Sequence, residues 1–150
     1  MPCVHEFTLV PSSASKFDYD RLKKQPLVEI HDDLLMYMRD SILWLNTLNA
    51  GRKRERVEGL CWYGQTLIPA AAIAHFKSII GAWRNLFSLG PTELQLCGGY
   101  ISVEGEEDSG QYEKLTYDRD SILKEFDRLT AFCEEVEKSD GTKNLLHMGI

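Results

Sequence analysis

The stretch PAAAIAHFKSIIGAWRNLFSLGPTELQLCGGYISV, residues 69–103, holds two periodicities separated by one Gly-Pro pair. Up to Leu89, apolar side chains recur at Ile73, Phe76, Ile80, Trp83 and Phe87, with Ile79 and Leu86 widening the stripe. Steps of three and four residues predict an amphipathic helix. Pro69 suits its first turn, where a missing N–H leaves no bond unmade, and Gly90-Pro91 ends it. From Glu93 the period falls to two, with Leu94 and Leu96 alternating with other positions. After Gly98-Gly99 the apolar phase shifts to Ile101 and Val103. A glycine pair with a phase shift predicts a bulged strand.

Downstream, Glu104 to Gly110 is acidic and glycine-containing and reads as a loop, with Gln111 to Tyr117 returning as the antiparallel partner. Ile122, Phe126, Leu129, Cys133 and Val136 predict a helix from Arg119 to Lys138, with Asp118 or Asp120 as its N-cap. The tail from Asn144 to Ile150 is apolar enough to dock on the body.

Upstream, Leu34, Leu35, Met38, Ile42, Leu45 and Leu48 predict a helix from Asp32 to Ala50, with Gly51 as its stop. Val57 to Tyr63 reads as a strand, and so does His5 to Val10. Residues 1–30 are otherwise expected to form a less regular arm. No regular β-α-β alternation is present, so the expectation is α+β: one domain, residues 1–150, with three main helices packed on a small, mostly antiparallel sheet.

Composition narrows the classes. A chain of 150 residues, 43% hydrophobic and 27% charged, can build a core without staples. The net charge of -6 argues against a nucleic-acid partner and is compatible with a basic protein partner or with solubility alone. No run approaches the roughly 18 to 20 apolar residues that span a bilayer, and the first ten residues lack the basic start and apolar run of a secretory signal. The expected location is therefore the cytoplasm, with reduced thiols. Cys61, Cys97 and Cys133 lie in apolar contexts and are expected to be small core residues.

No histidine stands at ligand spacing from another histidine or a cysteine, so neither metal nor cofactor is expected. No nucleophile elbow, phosphate-binding glycine loop or dinucleotide fingerprint occurs. An enzyme would have to assemble its site from separated residues, with His75, His147 and either Cys61 or Cys97 as candidates. The basic cluster Arg52-Lys53-Arg54-Glu55-Arg56 either grips an anion or is a solvated helix end favoured by the dipole. The acidic cluster Glu104, Glu106, Glu107 and Asp108 either attracts a basic partner or keeps a loop soluble. Trp44 lies off its helical stripe, which makes it either a binding aromatic or a residue tucked under a neighbour.

Three stretches bear on family: Trp62-Tyr63-Gly64-Gln65-Thr66-Leu67-Ile68-Pro69, then Phe76 to Phe87 around Trp83, and Leu146-His147-Met148-Gly149-Ile150. Together they resemble small bacterial immunity proteins of toxin/immunity systems. The resemblance covers about half the chain, carries no catalytic residue, and implies a protein that neutralises a cognate toxin by occluding it. On this reading Glu104, Glu106, Glu107 and Asp108 are the partner-binding residues, and neither nucleic acid nor membrane is a partner.

Overall fold

The computed structural model describes residues 3–51 and 53–150, with the side chains of Val103, Glu107 and Asp108 outside the description. The chain begins with strand β1 (Val4–Pro11), a helical turn α1 (Tyr19–Leu22) and strand β2 (Val28–His31). Two short helices, α2 (Asp32–Tyr37) and α3 (Arg39–Ile42), lead into strands β3 (Asn46–Asn49), β4 (Arg56–Glu58) and β5 (Gln65–Ile68). The long helix α4 (Ala70–Ser88) is followed by β6 (Glu93–Val103) and β7 (Glu106–Asp118). Helix α5 (Arg119–Lys138) and strand β8 (Lys143–Met148) complete the fold. The class is α+β.

Six strands form one antiparallel sheet in the order β2-β1-β8-β5-β3-β4, and β6 and β7 form a separate two-stranded sheet. The tail does more than dock: as β8 it is a central strand, paired to β1 on one side and β5 on the other. It alternates accordingly. Leu145 joins the core shared with α4 and α5, while Leu146 and Met148 face the opposite side.

The main core lies between the sheet and the two long helices. Phe7, Ile68 and Leu145 meet Ile73, Phe76 and Ile80 of α4 and Phe126 and Leu129 of α5. The opposite face is sealed by the N-terminal segment, with Leu22 buried over Val10, Leu67 and Leu146, and Phe17 and Leu27 packed against them. Residues 1–30 are thus not an arm. They supply two strands and the cover of the second face.

The long elements match their sequence signals. The α5 N-cap is Asp118, whose carboxylate accepts from the Ser121 backbone N–H at 2.9 Å. The bulge at Gly98-Gly99 is present, with the register passing from Cys97–Lys114 to Tyr100–Tyr112. The predicted helix from Asp32 to Ala50 is not one element. Met38, at φ -93° and ψ 4°, separates α2 from α3, and the chain turns to strand at Asn46. Thr47 supports the strand through a contact distant in sequence: its buried hydroxyl donates to the Gly59 carbonyl at 2.5 Å and ties β3 to the residue after β4. Among the described residues there are therefore five helices, two of them long, rather than three main ones. The strand expected over Val57 to Tyr63 ends at Glu58, and Gly59 (φ +68°) turns the chain so that Trp62 and Tyr63 fall in a loop.

The facing of α4 can be tested. Phe76 is fully buried and Leu86 is 56% exposed, so Leu86 does not widen the buried stripe. Phe76→Ala is expected to cost about 3–5 kcal/mol in denaturant unfolding, and Leu86→Ala to stay within about 0.5 kcal/mol. Equal losses at the two positions would contradict the packing.

Candidate functional site

The β6–β7 hairpin is built in two halves. At its base Leu94 pairs with Tyr117 and Leu96 with Leu115, and Leu94, Leu96 and Tyr117 pack against the main core. Beyond the bulge the hairpin leaves the body. Every described residue from Gly99 to Lys114 is exposed, apart from half-buried Gly110. Gly110 lies under the Tyr100 ring, where a Cβ would overlap it. Tyr100 and Tyr112, opposite each other across the strands, stack edge-to-face with centroids 5.3 Å apart, yet remain 55% and 62% exposed. Ile101 is exposed as well.

The four acidic residues named from the sequence all lie at the tip, but not in one loop. Glu104 and Gly105 make the turn, closed by the positive φ of Gly105 (+91°). Glu106 already pairs with Val103. The register then jumps to Ile101–Gln111, so β7 advances five residues while β6 advances two, and Glu107 and Asp108 belong to this wide bulge. Two bulges, one in each strand, deprive the hairpin of a continuous edge for another strand. Its faces and its charge remain to meet a partner.

That charge is concentrated. Residues 93–118 hold seven of the chain's 23 acidic residues and one of its 17 basic ones, a balance of -6. The other 16 acidic and 16 basic residues cancel, so the net charge of the whole chain resides in this hairpin.

A second polar constellation lies inside the sheet. His5 of β1 and His147 of β8 are both fully buried, with rings stacked 5.0 Å apart. His5 Nδ1 is 2.8 Å from His147 Nε2, and His5 Nε2 is 2.9 Å from Asp32 Oδ1 at the start of α2. Trp62 Nε1–H donates to the same oxygen at 2.6 Å. The carboxylate can only accept, so His5 donates from Nε2, and its Nδ1 must then accept from His147 Nε2–H. This leaves His147 Nδ1 as a buried acceptor with no partner among the described residues. Burial, reinforced by the positive charge His5 would carry, pushes His147 down to about 3. Burial also lowers His5, against the pull of Asp32.

The chain's end locks this network. The Gly149 N–H donates to the Gly64 carbonyl at 2.7 Å and Ile150 N–H to the Trp62 carbonyl at 2.9 Å, while a Cβ at Gly149 would overlap the Trp62 and Cys61 carbonyls. Both histidines are closed to solvent, and Asp32, with 22% of its side chain exposed, is where the network approaches the surface. Its role is to join β1, β8, α2 and the 61–64 loop. Sequence spacing had no access to it, because His5 and His147 lie 142 residues apart.

The other nominated residues are dispersed. His75 is exposed on α4, Cys61 is exposed in the loop before β5, and Cys97 is exposed on β6. Among the described residues no hydrogen bond or ring contact joins any two of His75, His147, Cys61 and Cys97. Cys61 and Cys97 are not core residues; Cys133 alone of the three is buried. Of the basic cluster, Lys53, Arg54 and Glu55 lie between β3 and β4 and Arg56 opens β4, so the described residues are not at a helix end. Arg52 lies outside the described residues, and Arg54 is committed to the carbonyls of Ser12, at 3.0 Å, and Ala14. Trp44 is 66% exposed. A cleft of about 330 Å³ beside α2 and α3 is lined by Met36, Arg39, Leu43, Leu60, Trp62 and Tyr63. Among the described residues there is no group of three metal-ligating side chains, and no helix is long and apolar enough to cross a membrane. No protein-family model, curated protein or solved structure matches the chain.

The histidine pair sets a pH dependence. With both folded-state values below the ordinary 6.5, the unfolded chain binds protons first as pH falls. Their contribution is complete above about pH 6.5 and is lost as pH falls, for His147 progressively towards about pH 3, by at most about 1.4 kcal/mol per pH unit for each histidine. His147→Phe is expected to flatten the fall in unfolding free energy between pH 6.5 and 4 by up to that slope. An unchanged slope would show that His147 titrates normally in the folded protein.

Proposed function

We propose that this chain is an immunity-type binding protein that neutralises a basic toxin domain by occluding it, with the β6–β7 hairpin as its docking arm. The observation that supports this reading is the placement of the charge: a balance of -6 on a hairpin whose distal half stands clear of the body, against a neutral remainder. A charge serving solubility alone has no reason to gather on one element. Gathered there, it steers a basic protein surface to the hairpin and turns away the phosphates of nucleic acids and the anionic face of a membrane. The site for such a partner is Glu104, Glu106, Glu107 and Asp108. The resemblance to immunity proteins points the same way, and a cytoplasmic location accords with guarding the producing cell.

Rim charges act mainly on the rate of encounter, over a screening length of about 8 Å at physiological ionic strength. The cognate partner is first identified by pull-down from the native host. The combined change Glu104→Gln, Glu106→Gln, Glu107→Gln and Asp108→Asn is then expected to slow association by about tenfold or more and to flatten its salt dependence, with stability unchanged. A variant that associates at the wild-type rate, with the same response to salt, would make the acidic tip a solvated turn and remove the basis of this proposal.

A further inference from the structure

We propose that the outward face of the distal hairpin, centred on Tyr100 and Tyr112, is a docking surface for arginine side chains of a basic protein partner. The inference rests on the binding reading above and names the chemistry of contact. Tyr100 and Tyr112 gain little from burial where they stand, since more than half of each is exposed. They are nevertheless fixed: each ring is the other's edge-to-face neighbour, and Tyr100 lies in the space that Gly110 leaves by having no side chain. An aromatic pair held rigid in solvent costs little further entropy on binding, which is the property of residues that anchor protein interfaces.

Charge selects the occupant. The tyrosine pair sits between the acidic tip at Glu104 and Glu106 and the strand residue Glu113, on an element with one lysine, Lys114. The negative face of an aromatic ring attracts cations, and the planar guanidinium of arginine both stacks on such a ring and pairs with carboxylates. A second copy of the same hairpin is disfavoured by like charge. A strand added at the edge is disfavoured by the two bulges.

The experiment titrates the intact protein with capped hexa-arginine, following backbone amide and tyrosine ring signals by NMR, with hexa-glutamate as the control peptide. Shifts centred on residues 99–114 and the two rings are expected with hexa-arginine alone. The double change Tyr100→Leu with Tyr112→Leu should weaken binding by about fivefold or more, while Tyr100→Phe with Tyr112→Phe should restore it, because the rings remain. Unshifted amide signals of α4 and β8, with cross-strand contacts kept between residues 96 and 115 and between 101 and 111, establish that body and hairpin of each variant are folded. Equal affinity of the leucine variant and the wild type would overturn the tyrosine anchor and leave the acidic docking arm standing. Hexa-arginine shifts located elsewhere on the protein would overturn the anchor and the arm together.

Discussion

Strand β8 is the constraint on which the rest of the structure depends. It lies between β1 and β5, so the last residues of the chain complete a sheet begun by the first. Both of its faces are committed: Leu145 to the core under α4 and α5, Leu146 and Met148 to the side covered by residues 17–27. His147 occupies the remaining inward position, where its Nε2 is held by His5, whose second nitrogen reaches Asp32. A buried polar chain of this kind is costly when broken, because each orphaned group keeps its desolvation penalty without a bond. It therefore fixes register: β1 and β8 slipped by one residue would place His5 and His147 on opposite faces of the sheet.

This rigid body leaves the hairpin as an appendage. Its base is anchored by Leu94, Leu96 and Tyr117, and its distal half gains nothing from the core. An isolated two-stranded ribbon is marginal in water, so the Tyr100–Tyr112 pair and the close fit over Gly110 add side-chain packing to the strand pairing of an exposed segment. The same contacts that stiffen the hairpin present its aromatic face, and the carboxylates that keep it soluble determine which surfaces it can approach. On the proposed reading stability and recognition share residues on this element, whereas in the body both histidines of the polar network are closed to solvent.

Sequence patterning was informative where an element is long and one-sided. α4 and α5 run for 19 and 20 residues, enough for a 3.6-residue stripe to be unambiguous, and the Gly98-Gly99 phase shift marked a real bulge. It misled where elements are short. Leu45 and Leu48 continue the helical spacing of residues 34–42, but four residues of β3 are too few for a strand period to assert itself against that run. Thr47 pairs with a carbonyl twelve residues away, which no local window contains. Apolar neighbours in sequence do not imply burial: Cys133 is buried, but Cys61 is exposed in a loop and Cys97 is exposed on β6. The acidic residues were visible as a cluster, whereas their meaning came from the strand pairing, which showed that Glu93, Glu113 and Asp118 belong to the same hairpin.

On the proposed reading a partner is met at the distal hairpin. Hydrogen exchange of the protein, free and bound to its cognate partner, reads this out, because every described residue of 99–114 except half-buried Gly110 is exposed in the free chain. Binding is predicted to slow exchange across 99–114 and to leave the exposed surface around Trp44 and Tyr63 and the turn at residues 53–56 unchanged. Protection at Trp44, Tyr63 or that turn, with exchange across 99–114 unaltered, would contradict the account.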